Sequence, residues 1–418
     1  MAEDFYQGDH QRNYCLKCKI DYGAIKKYEE EPTCKKCGTK LRTKCTGLAL
    51  SGGGFRAALF HLGSLWRLNE LGWLKRLAEV TSVSGGSITA AYLGFRWKHL
   101  TFRSNGVATN FVDEIARPLQ DFCSQTIDVG SVVAGLISPF RHPIELIASH
   151  YRKGLFGEST LQDLPSDKEG PRFTIYAASL QTGVSVRFSR AELAEYHLGK
   201  IDSSHIQLAT AVAASSALPP ILCPLILKLN PDDWKDWGKG KKGDLFHKEK
   251  LRSTMFLADG GVYDNLGLER VWDRYATVLV SDAGAPFSVV EGSLWFRLSQ
   301  LFRAKRCIDI ITQQARALRK RWLISDFKAG ITQGTYWGTA THIRDYRLEE
   351  NGYPPPLLKD SQDTAALCRV RTRLNRFSAR EQEQLINWGY ALTDAAMRRH
   401  VLRKGAKPGH LPFPKRHL

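Results

Sequence analysis

The chain has 418 residues, with 60 Lys and Arg against 42 Asp and Glu and a formal net charge of +18. Its 43% hydrophobic and 24% charged content excludes a disordered chain. No run approaches the roughly 18 apolar residues of a membrane-spanning helix, and the acidic, polar start Met1–Gln7 does not read as a secretory signal. The expectation is a soluble cytoplasmic protein whose excess cations meet a polyanion, either nucleic acid or an anionic membrane surface.

Four of the nine cysteines fall in the first 40 residues, as Cys15-Leu-Lys-Cys18 and Cys34-Lys-Lys-Cys37 with 15 residues between the pairs. Two such knuckles can close a four-sulfur tetrahedron around a structural zinc ion, in zinc-ribbon spacing. Lys17, Lys19, Lys35 and Lys36 favour the thiolates. Two disulfides or free thiols are the alternative, which a cytoplasmic setting disfavours. A module of about 45 residues needs a staple to fold. A ribbon of this kind can bind nucleic acid, a partner protein or a regulatory ligand, and it does no chemistry itself.

The apolar run Thr46–Leu50 ends in Ser51-Gly52-Gly53-Gly54-Phe55-Arg56-Ala57. A helical pattern through Phe55, Leu59, Leu62 and Leu65 follows. Leu77–Val83 is a second strand-like run, leading into Ser84-Gly85-Gly86-Ser87 and a second helix. This β-α-β-α order predicts a parallel sheet with both glycine-rich turns at strand C-termini, the edge where open α/β sheets place their sites. Three glycines before a helix leave N–H groups aimed at an anion. A nucleotide P-loop would need a Lys-Ser/Thr that is absent. A dinucleotide fingerprint fits Gly52, Gly54 and Ala57 but lacks an acid at the end of the next strand, which closes on Ser84. The remaining reading is an oxyanion loop beside a nucleophile elbow at Ser84. Ser84 as a plain helix cap is its competitor.

A serine nucleophile needs a base, and none of the 12 histidines lies in a convincing late turn: His400, His410 and His417 belong to a basic tail. Asp259, in Met255-Phe-Leu-Ala-Asp259-Gly260-Gly261, ends an apolar run with open space beside it. A carboxylate desolvated there can take a serine proton directly. The competing reading is an ordinary Asp-Gly turn. Asp282, at the end of the Ala276–Val280 run, is a rival acid that reads better as a strand-end cap.

In this order, Gly52-Gly53-Gly54-Phe55-Arg56, Ser82-Val83-Ser84-Gly85-Gly86 and Asp259-Gly260-Gly261 resemble the patatin-like phospholipases, lipid acyl hydrolases with a Ser–Asp dyad. The resemblance implies a three-layer α/β/α fold with a mainly parallel central sheet. It makes Ser84 the nucleophile, Asp259 the base, and Gly52, Gly53 and Gly54 with Arg56 the oxyanion loop. Catalysis through an acyl-serine would need no cofactor. Ala213–Pro220 resembles a family segment beside the Asp strand, while Ala57 and Ser82 stand where glycines are usual. The likeness runs over about residues 45 to 285, and more weakly through Thr372–Leu374 and Asn387–Tyr390 to about residue 400.

The expected organisation is a zinc ribbon at 1–44, a catalytic α/β domain at 45–345 and a helical extension with a flexible basic tail at 346–418. Val132–Ile137 with Pro139 and Phe140 is a candidate lid or insertion patch, or a core segment. Trp234 and Trp237, near Lys239, Lys241 and Lys242, mix interfacial aromatics with cations. Arg303–Trp322 reads as a basic amphipathic helix whose apolar side is expected to pack on the body. The function expected from these residues is a phospholipase A, peripheral to an anionic membrane, with a regulated, defence-type effector as a further reading of the same enzyme. A nucleic-acid-associated or partner-binding zinc-ribbon protein is the alternative; it accounts for the charge and the cysteines but leaves Ser84, Asp259 and the glycine loop unexplained together.

Overall fold

A computed structural model describes residues 12–24, 33–127, 143–237, 243–291, 299–372, 374–402 and 404–416. Twelve strands in these residues form one sheet. Its centre is parallel, in the order β12 (Gln333–Gly338), β11 (Tyr275–Asp282), β3 (Arg42–Leu50), β4 (Leu77–Val83) and β5 (Arg172–Ser179). Antiparallel strands flank that centre. β6 (Ser185–Phe188), β7 (Leu193–Glu195) and β8 (Gly199–Ile201) continue from β5. β9 (Leu225–Lys228) and β10 (Thr254–Asp259) join it separately. The parallel expectation therefore holds for the strands carrying the two glycine-rich turns, and the sheet as a whole is mixed.

The side-chain alternation of a strand sorts the core into two faces. Leu48 and Leu50 enter the larger cluster, while Ala49 points to a smaller one with Leu266, Val271, Val278 and Leu323. The larger face is covered by α1 (Gly54–Glu70), α2 (Gly85–Arg96), α3 (Leu208–Ser215) and the long C-terminal helix α7 (Ala379–His400). Two short helices, α4 (Gly261–Asp264) and α5 (Glu269–Arg274), line the other side with α6 (Gln300–Lys328).

The C-terminal segment is part of the same core rather than an extension of it. α7 crosses α1 backbone to backbone: a Cβ on Gly63 would lie 2.0 Å from the Ile386 carbonyl, and one on Gly389 would lie 2.0 Å from the Phe60 carbonyl. The basic tail is also packed. Arg398 is fully buried and donates to Asp394, while the Asp394 carboxylate accepts from Arg67 and the Gly409 N–H. The ribbon joins the sheet through β1 (Arg12–Cys15), which is antiparallel to β3 and to β2 (Ile20–Ala24). Trp234 is buried and donates to the Arg252 carbonyl, and Trp237 donates to that of Tyr196. Neither indole is a free interfacial anchor. Residues 132–140, Lys239, Lys241, Lys242 and His417 lie outside the described residues.

The largest departure concerns α6. Its inward side is polar: Arg316 pairs with Asp282, Arg319 approaches Asp264, and Lys320 lies over the Tyr336 ring. Leu323 is its one buried side chain among the described residues. Ile311, Leu318 and Trp322 face outward, the reverse of the packing the sequence suggests.

Candidate active site

The position of the proposed serine and acid follows from strand pairing. β4 pairs with β5 as far as Val83 opposite Tyr176, and β10 pairs with β5 from Asp259 opposite Ala177 to Leu257 opposite Ser179. β6 occupies the other edge of β5 over residues 175–178. β4 and β10 therefore share one edge and run toward each other, so their C-terminal ends meet. Ser84 and Asp259 stand at that junction. The acid reaches the serine from an antiparallel strand arriving head-on, not from a neighbour along one parallel edge.

The turn at Ser84 is strained. Its φ of 52° and ψ of −123° lie outside the usual regions for a residue with a side chain. Backbone contact explains the glycines after it: a Cβ on Gly85 would lie 2.0 Å from the Gly54 carbonyl, so the elbow rests directly on the glycine loop. A buried chain of hydroxyls ties the elbow down from below. The Ser84 N–H donates to Ser215 Oγ (2.8 Å), Ser215 and Ser87 hydroxyls meet at 2.9 Å, Ser87 donates to Ser82 Oγ (3.1 Å), and Ser82 donates to the Thr174 carbonyl (3.4 Å). Ser82, standing where the elbow's first glycine is usual, closes this chain.

Asp259 is buried, and its environment favours the neutral acid. Burial pushes its pKa up to about 6, against hydrogen bonds from the Gly261 N–H (2.7 Å) and from Ser84, which pull it down. Its own N–H donates to the Ala217 carbonyl, which fixes the strand end. Asp282 differs. Burial pushes it up too, but Arg316 and Tyr336 outweigh burial and hold it below the ordinary carboxylate range, while it accepts the Gly284 N–H. It caps the end of β11, as its position in the sequence suggests.

The glycine loop faces the elbow. The Gly52 N–H donates to the Asn265 carbonyl (3.1 Å), and a Cβ at Gly52 would come within 3.1 Å of Ser84 Cβ. Gly53 has φ 148°, which glycine adopts without strain, and α1 begins at Gly54. Arg56 lies against the loop, its Nη2 3.0 Å from where a Cβ on Gly53 would stand. It is buried, donates to the Ala283 carbonyl (3.1 Å) and to that of Val370 (2.7 Å), and burial pushes its pKa down to about 10. It anchors the loop from behind. Ser215 and Asn265 are site residues that sequence reasoning missed; only the small-residue run around Ser215 hinted at one of them.

Cys15, Cys18, Cys34 and Cys37 converge, with all four sulfurs within 4.8 Å of one another and none in a disulfide. Cys15 and Cys37 Sγ are 3.6 Å apart, close to the roughly 3.8 Å of two thiolates in a tetrahedron of 2.3 Å zinc–sulfur bonds. The Cys18 N–H points at Cys15 Sγ (3.3 Å), and the Tyr22 hydroxyl, 3.0 Å from Cys34 Sγ, lowers that thiol to about 6. The donor set fits a small metal-binding site.

A family model for the patatin-like phospholipases matches residues 48–272. No curated protein matches the sequence. Among solved structures, human GIVD cytosolic phospholipase A2 is similar at 14% identity and a TM-score of 0.46, over 84% of this chain and 59% of that one. This chain thus spans less than two thirds of the length of that enzyme. VipD from Legionella pneumophila matches at 14% identity and a TM-score of 0.33, over 91% of this chain and 72% of that one. The family model spans more than half of the sequence, and the chain belongs to the patatin-like phospholipase family.

Proposed function

We propose that the protein is a phospholipase A that hydrolyses fatty-acyl esters of membrane phospholipids through a Ser84–Asp259 dyad. The carrying observation is the head-on meeting of β4 and β10, which brings a strained serine and a buried carboxyl to one junction of the sheet. Asp259 takes the hydroxyl proton as Ser84 Oγ attacks the ester carbonyl. The N–H groups of Gly53 and Gly54, at the positive end of α1, are the donors suited to the oxyanion, each worth on the order of 3 kcal/mol. The Gly52 amide is already committed to Asn265. As the carbonyl re-forms, the lyso-lipid alkoxide leaves with the proton from Asp259. Water then attacks the acyl-Ser84 ester and gives a proton to Asp259, which returns it to Ser84 Oγ as the C–O bond to the serine breaks and the fatty acid leaves.

No bound metal is needed for these steps. The four cysteines hold a structural zinc ion that closes the ribbon in this reading. Fatty-acid release from a panel of phospholipid vesicles tests the proposal. The wild type should release acid, and Ser84→Ala and Asp259→Asn should each lose about 10³-fold or more while staying folded. Hydrolysis retained in Ser84→Ala would overturn it.

A further inference from the structure

We infer that the outward face of α6 is the surface by which this protein docks on an anionic lipid bilayer. The inference names the membrane side of the enzyme proposed above and rests on that reading for its purpose, but its evidence is separate. A helix on a globular protein normally turns its apolar stripe inward, and α6 does the reverse. Arg316, Arg319 and Lys320 are turned toward Asp282, Asp264 and Tyr336. Ile311, Leu318 and Trp322, spaced by seven and four residues on one line of the helix, are 66%, 41% and 55% exposed, with one face of the Trp322 ring stacked on Trp272 and the rest open. Exposed apolar groups aligned in this way mark an interaction site.

Charge selects the occupant. Gln300–Lys328 carries eight Lys or Arg against two Asp, and five of the eight remain besides the inward-turned Arg316, Arg319 and Lys320. A second copy laid along the stripe would bring two such cationic helices to within about 8–10 Å, axis to axis. An anionic bilayer complements the same charge, and its interface accepts Trp, Leu and Ile beside Lys and Arg. Immediately next to the stripe, Lys320, Arg321 and Lys328 line an open groove of about 340 Å³ with Ile324 and Ser325. Its dimensions and cations suit a lipid phosphate. On its inward side the same helix reaches the segment that follows Asp259: Arg319 stacks over the Tyr263 ring, in α4, which starts two residues after Asp259.

Ser84→Ala protein, which leaves the lipid intact, should co-sediment with vesicles of phosphatidylcholine containing 30% phosphatidylglycerol. Binding should weaken at least tenfold without phosphatidylglycerol or in 0.5 M salt. Adding Ile311→Ser, Leu318→Ser and Trp322→Ser should weaken it at least tenfold, and so should neutralising Arg321 and Lys328. With Ser84 restored, the apolar triple variant should keep wild-type activity on a soluble short-chain ester and lose it on vesicles. Unchanged vesicle binding by both sets of variants would overturn the inference. So would a wild-type dimer that the apolar variant converts to monomer without loss of lipid binding. Binding is read without turnover, so a Ser84–Asp259 dyad that proved inactive would leave this result standing.

Discussion

Asp259 and Asp282 end neighbouring parts of one sheet, are equally hidden from water, and are driven in opposite directions by their surroundings. Arg316 and Tyr336 keep Asp282 ionised, whereas Asp259 has only one N–H and one hydroxyl against its burial. That difference suits Asp259 to exchange a proton near neutral pH. The value of kcat/KM should rise about tenfold per pH unit up to about pH 6 and level off above it, the free enzyme's base being ionised there. A profile that stays flat from pH 4.5 to 8 would remove Asp259 from the role. Stability carries the opposite sign. The folded pKa lies above the ordinary 3.8, so stability present below that value is lost as pH rises through about 6. A shift of this size is worth ~3 kcal/mol. Asp259→Asn should therefore melt at a higher temperature than wild type at pH 8 and at nearly the same temperature at pH 4. A gain independent of pH would contradict this. Ser215 supplies a second check. Without its hydroxyl the buried Ser84 N–H has no acceptor, and Ser215→Ala should cost about 1–3 kcal/mol and lower kcat more than it changes KM.

At the scale of elements, the site is a meeting of four turns, and its glycines are contacts as much as hinges. Gly85→Ala would drive a methyl into the Gly54 carbonyl. It should abolish activity on soluble and vesicle substrates alike while leaving the zinc content unchanged, whereas wild-type turnover would show that elbow and loop need not touch. Both turns were legible in the sequence because a short apolar run, a glycine cluster and a helical period are local signals. The direction of β10 was not. An apolar run ending in Asp-Gly-Gly looks the same in a parallel or an antiparallel strand, and only its register with Ala177–Ser179 separates the two. The way Arg56 is held was hidden for a similar reason. It follows the glycine loop, yet its partners, the Ala283 and Val370 carbonyls, lie more than 200 residues away. The orientation of α6 was also hidden, since its period shows an apolar and a basic side without saying which one meets the body.

Across the whole molecule, the +18 charge has acquired a place. Part of it is structural, as Arg56 and Arg398 are held inside and Arg316 is paired with the buried Asp282. The basic helix α6 carries another part, with Arg321 and Lys328 at its open groove. The four cysteines stand apart from both. Purified protein should carry about one zinc ion per chain, and stripping it should expose residues 12–44 to protease while hydrolysis of a soluble ester persists. A metal-free protein with the same protease resistance would contradict the metal assignment. Toward residue 400 the chain continues into the core, because α7 packs against α1 through Gly63 and Gly389. The expected boundary at 345 had no physical counterpart, since hydrophobic contacts cross it. The claim on which the rest depends is that Ser84 is the nucleophile. Reaction with a long-chain fluorophosphonate, followed by peptide mass mapping, should place a single phosphonyl adduct on Ser84 and none on the Asp259→Asn protein in the same time. An adduct on another residue, or equal labelling of Ser84→Ala, would contradict it.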